Sequence, residues 1–158
     1  TVRVGESQAE VLFVPAHTRG HIAFYFASDR ALFCGDTLFS MGCGRLFEGT
    51  AAQMWESLQK LRNLPDDTQV YCGHEYSLKN AQFMHSLDPG NSDFEQKINE
   101  LTELRSQNHP TVPSRMADEK KFNYFLRADD QKLATRLGLA DLTPAQRFQQ
   151  WRQQRDQF

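Results

Sequence analysis

Three short apolar runs along the chain each end at a side chain able to ligate a metal. Glu10-Val-Leu-Phe-Val-Pro-Ala16 runs into His17, Ala31-Leu-Phe-Cys-Gly35 into Asp36, and Gln69-Val-Tyr-Cys-Gly73 into His74. Runs this short, rich in Val, Phe and Tyr, predict buried strands. Thr1–Val4 alternates and predicts a further strand, and Ile22–Ala27 another, joined through Ser28-Asp-Arg30 to Ala31–Cys34 as a hairpin. Ser40–Gly49 reads as a glycine-rich loop. The pattern then changes period. Thr50 is placed to cap a helix whose apolar stripe is Ala51, Met54, Trp55, Leu58 and Leu61, with Pro65 beyond its end. A strand over Thr68–Cys72 follows, so strand, helix and strand predict a crossover unit.

After His74 the chain reads as helical. Ser77–Leu87 carries Leu78, Ala81 and Met84 on one side, and Pro89-Gly90 stops it. Phe94, Ile98, Leu101 and Leu104 stripe the next helix, Phe122–Arg127 is a short aromatic-rich segment, and Asp129–Leu137 reads as helix ending at Gly138. Thr143 caps a last helix with Pro144 at its first position, and Phe148, Trp151, Arg155 and Phe158 share a face. The expectation is an α/β (α+β) chain in two parts, mixed sheet and helix over 1–75 and helices over 76–158.

Composition narrows the class. A length of 158 residues suits one ordinary domain or two small layers, and 12 phenylalanines supply a core. A net charge of −2 gives no global signal for nucleic acid or an anionic membrane surface. No apolar run approaches the roughly 20 residues that span a bilayer, and because Thr1 opens directly into strand-like sequence, the expectation is that no signal peptide is present. Cys34, Cys43 and Cys72 are odd in number and lack C-x-x-C spacing, which reads as reduced thiols of a cytoplasmic protein.

Imidazole, carboxylate and imidazole at neighbouring strand ends suit zinc, iron or manganese, and the two oxygens of Asp36 suit it to bridge two metals. His17 and His21 are four apart, but a strand and Pro15 precede them and Gly20 intervenes, so the segment is a loop; His17 reads as the ligand and His21 as its support. Gly73 before His74 lets the backbone turn. His85 and His109 read as surface residues. Arg45, in the glycine-rich loop, and Arg127 are candidate anchors for an acidic substrate, whereas Lys120 and Lys121 read as a solvated face.

At Pro15-Ala-His-Thr-Arg-Gly-His21, Phe33-Cys-Gly-Asp-Thr-Leu-Phe39, Gly42-Cys-Gly-Arg-Leu-Phe-Glu-Gly-Thr50 and Cys72-Gly-His-Glu-Tyr76, the sequence resembles the glyoxalase II (hydroxyacylglutathione hydrolase) family of the metallo-β-lactamase superfamily. Similarity extends through Asn108–Ser114, Phe122–Arg127 and the tail Arg155-Asp-Gln-Phe158. The resemblance implies the second half of an αββα sandwich followed by a helical glutathione-binding domain. It implies two divalent metal ions, with His17 on the first, His74 on the second and Asp36 bridging. It places Arg45, Tyr76 and Arg127 on glutathione and implies hydrolysis of S-D-lactoylglutathione to glutathione and D-lactate. Phe47 stands where some members have a glutathione-binding tyrosine, and Gln131 where some have a lysine. The family's Thr-His-x-His-x-Asp-His motif is absent. The chain is therefore expected to be a C-terminal portion that is inactive alone and has its exposed sheet covered by the N-terminal segment or by a second copy. Two other readings are a mononuclear-iron persulfide dioxygenase on the same fold and a non-catalytic fragment that binds a partner.

Overall fold

The computed structural model describes residues 1–158. Eight strands and six α-helices follow one another as β1 (Val2–Val4), β2 (Ser7–Phe13), β3 (Ile22–Phe26), β4 (Ala31–Gly35), β5 (Leu38–Phe39), β6 (Gly42–Cys43), α1 (Ala51–Arg62), β7 (Gln69–Cys72), α2 (Ser77–Leu87), α3 (Ser92–Ser106), β8 (Ser114–Arg115), α4 (Met116–Phe122), α5 (Gln131–Arg136) and α6 (Pro144–Gln157), with a 3-10 turn at Tyr124–Leu126 before α5. The main sheet has the order β1-β2-β3-β4-β7-β8, and β5 and β6 form a separate two-stranded hairpin. Strands β2, β3 and β4 pair antiparallel in succession, and β4 pairs parallel with β7. Strands β2, β4 and β7 therefore point the same way, and all three end at one edge of the sheet. The expected hairpin and crossover unit are both present.

Alternation assigns the faces. Ala23, Tyr25, Leu32, Cys34 and Val70 are buried, in the same core as Met54, Trp55, Leu58 and Leu61 of α1. On the opposite face, Val11, Phe24, Phe33 and Tyr71 pair across the strands in one row. Phe13, Ile22 and Phe33 are exposed there, and Phe33 stacks on Tyr71 at 4.8 Å.

Both expected N-caps hold, and each is part of a reciprocal capping box, Thr50 with Gln53 and Thr143 with Gln146. Three expectations are corrected. The segment after His74 is not purely helical: Ser114–Arg115 returns to pair antiparallel with β7. The expected loop over Ser40–Gly49 begins with the turn and second strand of the β5–β6 hairpin, and that turn depends on Met41 at φ +53°. Phe158 is exposed, its ring edge-on to Phe83, and Arg155 faces a cleft, so the buried face of α6 is Arg147, Phe148, Trp151 and Arg152. His109 is exposed as expected, and His85 is half-buried.

One apolar core of 27 buried residues joins the sheet to the helices on both sides of His74. Among its largest fully buried side chains are Trp151, Tyr124, Phe83, Phe94, Phe125 and Phe148. Within this region Glu119 of α4 is 1% exposed, and burial pushes its carboxyl up to about 7. A carboxyl raised on folding binds more protons in the folded than in the unfolded state. It stabilises fully below its unfolded value, and that contribution is lost as pH rises through about 7. Replacing Glu119 by glutamine removes this dependence. The Tm difference between Glu119→Gln and the parent is expected to move in favour of the variant between about pH 5 and about pH 8; parallel Tm-against-pH curves would contradict it.

Candidate metal and substrate site

The ends of β2, β4 and β7 bring His17, Asp36 and His74 together. The carboxylate of Asp36 lies between the two imidazoles: its Oδ2 is 3.5 Å from His17 Nε2 and its Oδ1 is 3.3 Å from His74 Nε2. His17 Nδ1 lies 3.0 Å from the Arg45 carbonyl. A carbonyl only accepts, so Nδ1 carries the proton, and in the neutral ring Nε2 presents a lone pair to Asp36. Two Lewis bases then face each other, an arrangement that a cation satisfies. The donor set is nevertheless partial. No group of three or more ligating side chains able to hold a metal ion converges within the chain, whereas a catalytic zinc takes three protein ligands.

The backbone around Asp36 is shaped to admit this carboxylate. A Cβ at Gly73 would collide with Asp36 Oδ1. Gly35, at φ +52°, turns the chain out of β4, and a Cβ there would lie 2.7 Å from His21 Nε2. His21 supports Asp36 through the main chain, its Nε2 lying 3.2 Å from the Asp36 amide nitrogen. The Cys34 carbonyl is 3.3 Å from the same nitrogen, so that atom either accepts from the amide or donates to the carbonyl. Ala16, immediately before His17, sits at φ +132°, a costly conformation for a residue with a side chain.

The three side chains open onto a cleft of about 500 Å³, lined also by Phe39, Cys43, Arg45, Phe47, Tyr76, Lys79, Asn80, Arg152 and Arg155. Tyr76 stacks on His74 at 4.9 Å, and Phe39 is edge-on to both rings, at 5.2 Å from Tyr76 and 5.9 Å from His74. Phe47, 68% exposed, lies 5.0 Å from the His17 ring and forms an apolar wall. Arg45, Lys79, Arg152 and Arg155 make the rest of the cleft basic. Asp156 meets Arg152 at 3.0 Å and Arg45 at 3.5 Å, and the Arg152 guanidinium also donates to the Cys43 carbonyl at 2.7 Å. Arg155 donates to Asn80 Oδ1 at 3.2 Å, and burial, together with the neighbouring Arg152 charge, lowers its pKa.

Of the side chains singled out from sequence, His17, Asp36, Arg45, Phe47, His74 and Tyr76 line this cleft. Arg127 does not. It pairs with Asp130 at 2.6 Å, donates to the Lys121 carbonyl at 2.9 Å and lies over the Tyr124 ring. Lys120 and Lys121 form ion pairs with Asp66 and Asp93 away from the cleft. Sequence reasoning missed Lys79, Asn80 and Arg152. The available signal was a pair of arginines, 152 and 155, three apart and on or beside the apolar face of α6.

If the Gly73 clearance sets the Asp36 position, Gly73→Ala should displace the carboxylate by an amount visible in a crystal structure. A variant with the Asp36 side chain in place would contradict this.

Comparison with known proteins places the chain in a family. Residues 75–158 match the family described as hydroxyacylglutathione hydrolase C-terminus, and residues 2–74 match the metallo-β-lactamase superfamily. A hydroxyacylglutathione hydrolase of Methylococcus capsulatus is 46% identical over 156 residues, covering 99% of this chain and 61% of the relative. One from a Synechococcus strain is 51% identical over 156 residues, covering 95% of this chain and 60% of the relative. The chain thus spans about three fifths of the length of such relatives. Among solved structures, ETHE1 from Myxococcus xanthus superposes with a TM-score of 0.54 at 25% identity, covering 94% of this chain and 52% of that one. A metallo-β-lactamase from Staphylococcus aureus superposes with the same TM-score, 0.54, at 22% identity, covering 96% and 40%.

Proposed function

Because the chain belongs to the hydroxyacylglutathione hydrolase C-terminal family, we propose that it is part of a thioester hydrolase, acting in the complete protein on S-D-lactoylglutathione to give glutathione and D-lactate. Residues 1–75 would be the second half of the αββα sandwich and 76–158 the segment that holds substrate. The observation that carries this reading is Asp36, whose two oxygens each face a different imidazole at the mouth of a basic cleft.

His17, Asp36 and His74 are this chain's ligands for two divalent ions, zinc by preference with iron or manganese as alternatives. Bound there, such ions supply water activated near neutral pH and polarise the thioester carbonyl. The remaining work falls to the chain itself. Arg45, Lys79 and Arg155 attract the carboxylates of glutathione. Arg152 is committed to Cys43 and Asp156 and keeps the cleft wall in place. Phe47 and Tyr76 flank the two histidines with apolar surface, and Phe47 does so without the hydroxyl of a tyrosine. Water supplies the oxygen that enters the acid, the carbon–sulfur bond breaks, and glutathione leaves as a thiolate, a group good enough to depart without a dedicated acid.

The sheet supports a second part of the reading. Val11, Phe13, Ile22, Phe24, Phe26, Phe33 and Tyr71 present a contiguous apolar face, of which Phe13, Ile22 and Phe33 are exposed at 55%, 40% and 44%. A face of this kind is paired or covered in a stable protein. The portion of the relatives that this chain does not span is its proposed cover and the source of the missing ligands.

Two outcomes test the proposal. The 158-residue chain alone is expected to bind metal weakly and to hydrolyse lactoylglutathione negligibly, with turnover appearing when the N-terminal segment of a relative is added or fused. A monomeric preparation that binds two metals tightly and turns over would sink it. In the fused protein, Arg155→Ala is expected to raise KM about tenfold with little change in kcat, because the charge contact exists in ground and transition states alike. Arg127→Ala is expected to leave KM near the parent value and lower Tm, since its partners are Asp130 and Lys121. The reverse pattern would return Arg127 to the substrate.

A further inference from the structure

The β5–β6 turn, Leu38–Cys43, lies between two hollows. Phe39 and Cys43 line the substrate cleft, while Ser40 and Met41 line a second cavity of about 650 Å³ on the other side, shared with Glu119 and the α3 residues Lys97 and Glu100. All six residues of the turn are buried, and Leu38, Met41 and Cys43 pack into the main core. Its backbone is held in addition by side chains from the helices. Asn123 Nδ2 donates to the Gly42 carbonyl at 3.0 Å, and the Phe39 carbonyl, at 3.3 Å, shares its two protons as a longer third acceptor beside Glu119. The Met41 amide donates to Glu119 Oε2 at 2.9 Å, and that same oxygen accepts from Asn123 at 3.0 Å. Glu119 and Asn123 are both buried, and neither lines the substrate cleft.

We propose that Glu119 and Asn123 are positioning residues: together they fix the turn that carries Phe39, and through the Phe39 ring they set the orientation of His74 and Tyr76. The effect on catalysis rests on the hydrolase reading above; the effect on ring geometry does not. The pair acts as one unit, because Glu119 both holds Met41 directly and orients the amide of Asn123, and a buried network of this kind is rigid only while every member is satisfied. With Asn123 shortened, the Phe39 and Gly42 carbonyls lose a donor in a buried setting and the turn is free to shift toward either hollow. The Phe39 ring then leaves its edge-on contacts, and a misplacement of this order costs 10–100-fold in rate.

The test is a double-mutant cycle with Phe39, read in two ways. In the complete protein, Asn123→Ser is expected to lower kcat/KM on the order of tenfold in the parent background and less than about twofold in a Phe39→Leu background, since the ring through which it acts is then gone. A general loss of structure would give the same factor in both backgrounds and would overturn the proposal. In the 158-residue chain without metal or substrate, Asn123→Ser is expected to shift the ring NMR resonances of His74 and Tyr76 while leaving those of the exposed His109 in place. Unmoved His74 and Tyr76 resonances in a folded variant would overturn it whatever the enzyme's activity. Should Asn123→Ser not fold, Glu119→Gln takes its place. It keeps an oxygen for the Met41 amide but replaces the other carboxyl oxygen by an NH2 group that cannot accept, so a smaller shift of the same resonances is expected, and no shift would count against the proposal.

Discussion

The site depends on one constraint, the common direction of β2, β4 and β7. The β4–β7 pairing is parallel, and β2 reaches the same direction through two antiparallel steps across β3. Three chain segments therefore leave the sheet at one edge, a few residues apart, and the first polar side chain beyond each is His17, Asp36 or His74. The Gly73 amide donates to the Gly35 carbonyl at 2.9 Å, extending the β4–β7 pairing up to Asp36 and His74. The spacing of these side chains is thus inherited from strand spacing, which backbone hydrogen bonds hold more tightly than any loop would. Crevices at the carboxyl ends of parallel strands are recurrent binding positions in α/β sheets for the same reason.

The helices after His74 do more than add a binding surface. They place Lys79, Asn80, Arg152 and Arg155 around the cleft, and they hold the carbonyls of Phe39, Ser40, Gly42 and Cys43 through Asn123, Asn80 and Arg152. The core is continuous across the division near residue 75, and β8 extends the sheet from the far side of α3. Disturbing the helical segment should therefore reach the ligands through the turn at Met41, without any change at His17, Asp36 or His74.

The strands and the convergence of His17, Asp36 and His74 were legible because each strand is a local apolar run and each of the three is the polar residue that ends it. The α1 stripe and the Thr50 and Thr143 caps were legible for similar reasons, being patterns of period 3.6 and of side chain to adjacent backbone. What escaped was non-local. β8 is two residues long and is defined by its partner, Gln69-Val70, not by its own composition. The β5–β6 hairpin was hidden in a glycine-rich stretch, because Met41 takes a positive φ that its residue type does not advertise. Arg127 reads as an anchor because it is basic and follows aromatic residues, but its position outside the cleft follows from its ion pair with Asp130, which caps α5. Arg152 and Arg155 could be seen on α6, yet their cleft exists only once α6 packs on α1 and meets Cys43.

The exposed aromatic row and the incomplete donor set would both be met by one added layer, the cover proposed above. A second sheet packed on Val11, Phe24, Phe33 and Tyr71 would lie about 10 Å away, with its strand ends near the edge that carries Asp36. Side chains leaving such strand ends could reach the imidazole and carboxylate donors from the opposite direction. Two unrelated partners, one for the apolar face and one for the metal ligands, would each have to dock independently and would each pay the cost of association. A single layer meets both needs at once, which is why covering the face and completing the metal site are proposed here as the work of the same absent segment.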